Sequence, residues 1–296
     1  MSLLSTIADK WPEEIEKMFK TKEVNKNGLY VMRLMVNGHY HTDMVVDDYV
    51  PYDVELNQLI YARKVTKNIW PILLEKAYAK FNGSYEDIVG GTAEEIKFFL
   101  PYPIKRYVNQ FDEAQKGKQW NRIKMKLSNH WLLTWATHFE DIKEEFTYED
   151  LGLVRNHAYF ITDFYAFDGE DEKIRMLKVA NPWANQKWQG KWSDDDDHWN
   201  EFYKEIFNFN NKLPGEFYIS FHDYLKYFES TSIWTPAPNF EKMSNRYSHE
   251  KGSYLLLKTK IKTNSILIIT VSQYNPKLFP VILNYTPSVM RVILAK

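Results

Sequence analysis

The sequence of 296 residues contains no cysteine. This absence excludes disulfide bonds and every zinc site that uses a cysteine ligand. It also leaves the chain without a thiol, which is the nucleophile of cysteine-dependent hydrolases. A chain without cysteine fits a reducing compartment, where disulfides are rare.

Long apolar runs and a strong net charge are also missing. The longest apolar stretches, such as 266–271, have the length of a strand and are too short to cross a membrane. Residues 1–20 are amphipathic and charged, unlike the apolar core of a signal peptide. The formal net charge of −1 gives no broad attraction to nucleic acid. The sequence therefore predicts a soluble cytoplasmic protein without a membrane span and without a nucleic-acid partner.

Aromatic residues, in contrast, are abundant. They make up 16% of the chain and include ten tryptophans. Such a composition predicts densely packed cores, and it is compatible with a cleft lined by rings. A carbohydrate-binding protein is a further alternative, although it rests on the tryptophan count alone.

The first part of the chain alternates helical and hairpin patterns. Apolar spacing predicts a helix over 3–19, broken near Trp11 and Pro12, and a second helix over 68–81 that ends at Asn82-Gly83. Between them, Asn37-Gly38 predicts the turn of a hairpin formed by strands 29–36 and 40–46.

The second part is rich in strand patterns. An acidic turn at 168–171 separates two runs that predict an antiparallel hairpin, 159–166 and 174–180. Further elements are expected on either side: strands over 131–138 and 216–220, and a helix over 221–228. After a proline-containing linker at 235–238, three strands begin what reads as an incomplete β-sandwich: 253–262, 265–272 and 289–295.

Two polar residues stand at the ends of the predicted hairpin strands. His157 opens one strand, and Asn181 ends the next, followed by Pro182 and Trp183. If the strands pair, their ends lie about 5 Å apart. The amide of Asn181 would then fix the imidazole tautomer, and the other ring nitrogen would face a thiol. Taken singly, such a histidine is more often a surface or satisfied core residue, and Asn-Pro-Trp is more often an ordinary turn.

Together and in this order, these segments resemble the calpains, papain-like cysteine proteases that are usually controlled by calcium. Residues 152–159 are similar to the family's Gly-Leu-Val-x-x-His-Ala-Tyr segment around the catalytic histidine, and 181–183 to its Asn-Pro-Trp-Gly segment. The resemblance extends over nearly the whole chain through further strings at 45–51, 73–86 and 215–224.

The resemblance implies an α+β fold with a papain-like, two-lobed protease core and, after it, the start of a β-sandwich. Residues 1–98 would form a helical first lobe that lacks the nucleophile segment. Residues 99–236 would form a β-rich second lobe that holds the histidine and asparagine, and 237–296 a partial C2-like β-sandwich. The cleft between the lobes would bind an extended polypeptide substrate or partner protein.

The resemblance also assigns roles in peptide-bond hydrolysis through a thioester. His157 would be the general base and acid, Asn181 its orienting residue, and Trp183 their shield from water. Residues 3–8 resemble the segment directly after the family's catalytic cysteine, which places that cysteine at the position of Met1. The chain is therefore expected to be inactive alone. It would be either a truncated calpain-type endopeptidase or a non-catalytic pseudoprotease that binds peptides or partners.

Calcium is the cofactor that the resemblance implies. Glu75 matches one carboxylate of the family's first calcium site, and Asp194 and Glu216 match two carboxylates of the second. Both sites are expected to be incomplete. The loop ligands of the first site lie before the nucleophile segment, and in the second site Lys187 stands where the family has an acid and Pro214 replaces another. The acidic run 194–197 is an alternative calcium ligand, although a solvated acidic loop is the simpler interpretation.

Overall fold

The structure, a computed structural model, describes most of the chain up to residue 235. The described residues are 4, 7–8, 10–36, 40–62, 68–100, 102–108, 113–138, 147–170, 172–182, 187–210, 212–213, 215–235, 267–269 and 271. The strands predicted beyond residue 236 therefore lie almost entirely outside this part. Trp183 and Pro214 lie outside it as well. None of the described helices is long and apolar enough to cross a membrane.

The first described elements form a helix that packs on a hairpin. Strands β1 (Leu29–Val36) and β2 (Tyr40–Asp47) pair antiparallel, as Asn37-Gly38 predicts. Helix α1 (Pro12–Glu16) precedes them and ends earlier than expected, because Phe19 forms a bridge with Met32 of β1 and cannot continue the helix.

Helix α2 (Trp70–Asn82) confirms the helix expected over 68–81. Pro71 sits in its first turn, where the missing N–H has no intrahelical partner to lose. The helix ends at Gly83, whose φ of 122° is open to glycine but strained for other residues. Short elements surround it: strands β3 (Tyr52–Asp53) and β4 (Gln58–Leu59), and 3₁₀ helices at Glu86–Ile88 and Ala93–Phe98.

The remaining described strands form one antiparallel sheet in the order β5-β10-β6-β7-β8-β9. Their bounds are β5 Ile104–Val108, β6 Leu132–Thr137, β7 Ala158–Asp168, β8 Lys173–Ala180, β9 Glu216–Ser220 and β10 Phe228–Trp234. Strands β7 and β8 are the predicted hairpin and pair from Asp168–Lys173 to Phe160–Ala180. Three helices accompany the sheet: α3 Glu113–Ser128, α4 Glu201–Ile206 and α5 Phe221–Tyr227.

Apolar side chains cover both faces of this sheet. On β8, Leu177 belongs to a cluster with α3 and α5, whereas its neighbour Met176 belongs to an aromatic cluster around Trp192 and Trp199. The alternation follows from the two-residue period of a strand. Each fully buried side chain of this size contributes about 1.5–3 kcal/mol to folding.

A third cluster joins the N-terminal elements to the sheet through Trp234. This last residue of β10 contacts Trp11 and Tyr102 edge-on, with ring centroids 5.5 and 5.2 Å apart. The cluster otherwise collects buried residues of α1, α2, β1 and the segment around Phe98. The mixture of helices and an antiparallel sheet confirms the α+β class.

Several described elements were not expected from the sequence, among them strands β5 and β10 and helices α3 and α4. Helix α3 is mostly polar or charged, and Trp120, Ile123 and Leu127 mark its apolar side. Strand β10 begins at Phe228, directly where α5 ends, so the helix predicted over 221–228 stops one residue early. The first residue of β10, Phe228, continues the apolar helical spacing of α5. Pairing with β5 and β6 is what makes the segment from Phe228 onwards a strand.

Candidate active site

The sheet brings His157 and Asn181 together. His157 immediately precedes β7, and Asn181 comes immediately after β8. Because these strands are antiparallel neighbours, the start of one lies beside the end of the other. Nε2 of His157 lies 3.1 Å from Oδ1 of Asn181. The expected contact between imidazole and amide is therefore present, while the catalytic roles of both residues stay predictions.

This contact sets the tautomer of the imidazole. The amide oxygen can only accept, so Nε2 donates and Nδ1 keeps the lone pair. Burial lowers the pKa of His157, and the bond with Asn181 offsets part of that effect. The ring is therefore neutral at neutral pH, which is the form that can take a proton from a thiol.

Thr137 of β6 holds the turn that carries His157. Its buried hydroxyl accepts from the backbone N–H of His157 at 3.0 Å and donates to the carbonyl of Val154 at 2.7 Å. The backbone N–H of Thr137 in turn donates to the carbonyl of His157 at 3.1 Å. Sequence reasoning missed this residue, and its only signal is a polar side chain in a mostly apolar strand, a signal that Thr134 of the same strand shares.

Gly152 fixes the contact between this turn and the loop after Asn181. Its φ is +68°, and a Cβ there would lie 1.9 Å from the carbonyl oxygen of Lys187. Beside it, the N–H of Gln189 donates to the carbonyl of Leu151 at 2.9 Å. A glycine is thus required for both backbone conformation and space. This is the physical reason for the glycine of the string Gly-Leu-Val before the histidine.

A buried ion pair lies beside the strand end that carries Asn181. The N–H of Asn181 donates to the carbonyl of Gly215 at 3.0 Å, and the next residue, Glu216, pairs with Ala180 across β8 and β9. The carboxylate of Glu216 lies 3.0 Å from Nζ of Lys178, and both side chains are less than a tenth exposed. Buried charges of opposite sign in this arrangement couple the two strands.

The predicted shielding of His157 by Trp183 is not tested by these contacts. Trp183 lies outside the described residues, so its role stays a prediction. Among the described residues, Tyr159 contacts the His157 ring in an edge-on arrangement, with ring centroids 5.0 Å apart and ring planes at 85°. Burial raises the pKa of Tyr159 to about 12, so its hydroxyl stays protonated beside the histidine.

The carboxylates expected to bind calcium lie in surroundings that do not fit a divalent cation. Glu75 accepts from the backbone N–H of Ala62 at 2.8 Å, and burial raises its pKa, which favours the uncharged form. Asp194 contacts the ammonium groups of Lys187 and Lys212. Within the described ranges, no three histidine, aspartate or glutamate side chains converge as metal ligands do.

Comparison with known proteins agrees with this geometry. Residues 2–235 match the model of the family described as calpain family cysteine protease. The rat calpain-1 catalytic subunit is 31% identical over 219 residues, which cover 72% of this chain and 30% of that protein. Calpain-B of Drosophila melanogaster is 32% identical over 225 residues, covering 73% of this chain and 24% of that protein.

A plant relative extends the comparison. The calpain-type cysteine protease DEK1 of Zea mays is 29% identical over 238 residues, covering 76% of this chain and 10% of that protein. The chain thus matches less than a third of the length of each of these curated relatives. The family model nevertheless spans most of the chain, including His157, Asn181 and all ten described strands. This protein belongs to the calpain family of cysteine proteases.

Proposed function

We propose that this chain carries the histidine and asparagine half of a calpain-type endopeptidase site. The complete site would hydrolyse peptide bonds of extended polypeptides through a thioester. The contact of 3.1 Å between His157 and Asn181 is the observation that carries this proposal. Because the 296 residues contain no cysteine, we expect the chain alone not to cleave peptides.

In the complete site, each residue would have one task. Nδ1 of His157 would accept the thiol proton, and the resulting imidazolium would later protonate the leaving amine. Asn181 would hold the ring through Nε2 and stabilise its positive charge. Trp183 would exclude water from that hydrogen bond, which is stronger in a dry environment.

We further propose the division into lobes that the resemblance implies, with boundaries near residues 98 and 236. One hydrophobic cluster is formed only by residues after the first boundary and supports it, while the N-terminal cluster continues across that boundary through Phe99 to Trp234. The peptide would lie in the cleft between the lobes. A cytoplasmic location is also part of this proposal, supported by the cysteine-free composition.

Restoring the nucleophile tests the proposed function. The segment of a calpain relative that carries the oxyanion-hole glutamine and Gly-Asp-Cys is joined ahead of Ser2, so that its cysteine replaces Met1. We expect this chimera to cleave casein. His157→Ala in the chimera should lower the rate about 10²–10⁴-fold, because the general base is lost.

Two controls make the result decisive. The chimera with alanine in place of the restored cysteine should show no cleavage, and Asn129→Ala, an exposed residue of the same lobe, should leave the rate unchanged. A chimera that melts cooperatively but cleaves no faster than the alanine control would contradict the proposal.

The pseudoprotease is the second candidate, and the absence of cysteine from the sequence favours it. It predicts that the unmodified chain binds extended peptides without cutting them. Fluorescence anisotropy of labelled casein fragments, with mass spectrometry of the same samples, distinguishes the two. Binding with intact peptides, together with an inactive chimera, would establish the second candidate.

A further inference from the structure

Two carboxylates that match calcium ligands of the family are bound by lysines of this chain. Asp194 contacts Lys187 through one carboxylate oxygen at 3.0 Å, and Lys212 through the other. Glu216 lies 3.0 Å from Lys178. Three ammonium groups therefore face two carboxylates.

Lys212 is held more firmly than a surface lysine. Its ammonium group lies 3.7 Å from the centroid of the Phe209 ring, in cation–π contact, and its side chain is only 16% exposed. The next residue, Leu213, donates its N–H to Glu216 at 2.8 Å. Lys212 thus connects Asp194 to the backbone beside Glu216.

We propose that lysine ammonium groups take the position of a divalent cation beside Asp194 and Glu216, so that these carboxylates hold the loop without calcium. Calcium needs about six to eight oxygen ligands, most of them anionic or carbonyl groups. At Asp194 it would have to displace two ammonium groups and would be repelled by both. Burial alone would raise the pKa of Asp194, but the bonds from Lys212 and Lys187 outweigh it and lower that pKa, which keeps the carboxylate charged.

The arrangement has a consequence for the strand end that carries Asn181. Asn181 is bonded to Gly215, directly before Glu216, and Lys187 provides the carbonyl that packs on Gly152. The lysine contacts therefore support both segments that meet at His157. This role concerns the stability of the loop, and it does not require the chain to be a protease.

Thermal unfolding of the full chain, monitored by tryptophan fluorescence, tests the inference. Samples are melted in EGTA, in magnesium and in calcium. We expect the same Tm in all three. Calcium bound at these residues with a Kd near 1 mM would raise the Tm by about 3–6 °C at about 10 mM calcium.

Variants identify the residues responsible. Lys212→Met keeps the aliphatic stem over Phe209 and removes the charge, and it should lower the Tm by about 2–4 °C in EGTA and in calcium alike. Lys212→Arg should stay near the wild type. The matched control is Lys204→Met, whose exposed pair with Glu201 should matter by less than about 1 °C.

Two results would overturn the inference. One is a calcium-dependent rise in Tm that Asp194→Asn abolishes, because calcium would then bind where the lysines are. The other is a Lys212→Met protein no less stable than Lys204→Met, because the ammonium group would then not hold the loop.

Discussion

A single hydrogen bond defines the candidate site at the scale of residues. The oxygen of Asn181 accepts from Nε2 of His157 and so selects one tautomer. The same bond raises the pKa of His157. Burial has the opposite effect, because it disfavours the charged imidazolium and lowers that pKa. The balance of these two effects decides whether the imidazole is a base at neutral pH.

The contribution of Asn181 can be measured directly. Because its bond raises the pKa of His157 against the effect of burial, Asn181→Ala should lower that pKa further. NMR titration of the His157 Hε1 signal gives the midpoint. Asn129→Ala, which loses an exposed bond to the carbonyl of Met125, is the control and should leave the His157 midpoint unchanged. An unaltered midpoint in folded Asn181→Ala protein would show that the contact is absent in solution.

At the scale of elements, the pairing of β8 with β9 places a buried charge pair next to Asn181. Lys178 and Glu216 are 9% and 5% exposed. A buried pair of this kind adds little net stability compared with apolar residues, yet removing one partner is costly. The strands are thereby held in one register, since a shift would separate the charges.

Substitutions of this pair should not be additive. Glu216→Gln leaves the Lys178 ammonium facing a neutral amide and should cost about 3–5 kcal/mol, whereas adding Lys178→Met should recover most of that loss. Glutamine can still accept from the N–H of Leu213, so the comparison isolates the charge. Urea unfolding provides the free energies. Asp168→Asn, which breaks the exposed pair with Arg175, is the control and should cost less than about 1 kcal/mol.

Additive losses in the double variant would mean that the two side chains do not interact.

The secondary-structure elements also show which parts of the fold can be predicted from sequence patterns. Strands β1, β2, β8 and β9 and helix α2 follow from alternation and helical spacing, because each pattern lies within one segment. Helix α3 was missed, because its many charged residues obscure the apolar spacing. Strand β10 was missed, because only its pairing with neighbouring strands makes it a strand.

At the scale of the whole molecule, acid should destabilise the protein in two steps. The folded pKa of His157 is lowered, so below about pH 6.5 the unfolded chain binds a proton that the folded chain resists, and stability falls. The folded pKa of Asp194 is also lowered, so its contribution is complete above about pH 4 and is lost as the pH falls further.

Variants separate the two steps. His157→Gln should reduce the loss of Tm between neutral pH and about pH 5, because no proton is taken up at this residue on unfolding. The Tm of Asp194→Asn should instead differ most from the wild-type Tm near neutral pH, and this difference should become smaller below about pH 4. Melting curves across this range provide the measurement. A His157→Gln protein with the wild-type pH dependence would contradict the first assignment.

The amino-acid sequence alone was sufficient to predict the α+β class, the family and the polar pair His157 and Asn181. The class and the family follow from short strings that resemble the calpains, and the pair follows from such strings at the ends of two predicted strands, all of which are local properties of the chain. It did not reveal that Thr137 anchors the histidine turn or that Lys212, eighteen residues from Asp194, would meet that carboxylate. Such contacts depend on strand order and register, which no single segment contains. Only the folded chain brings those distant groups within bonding distance.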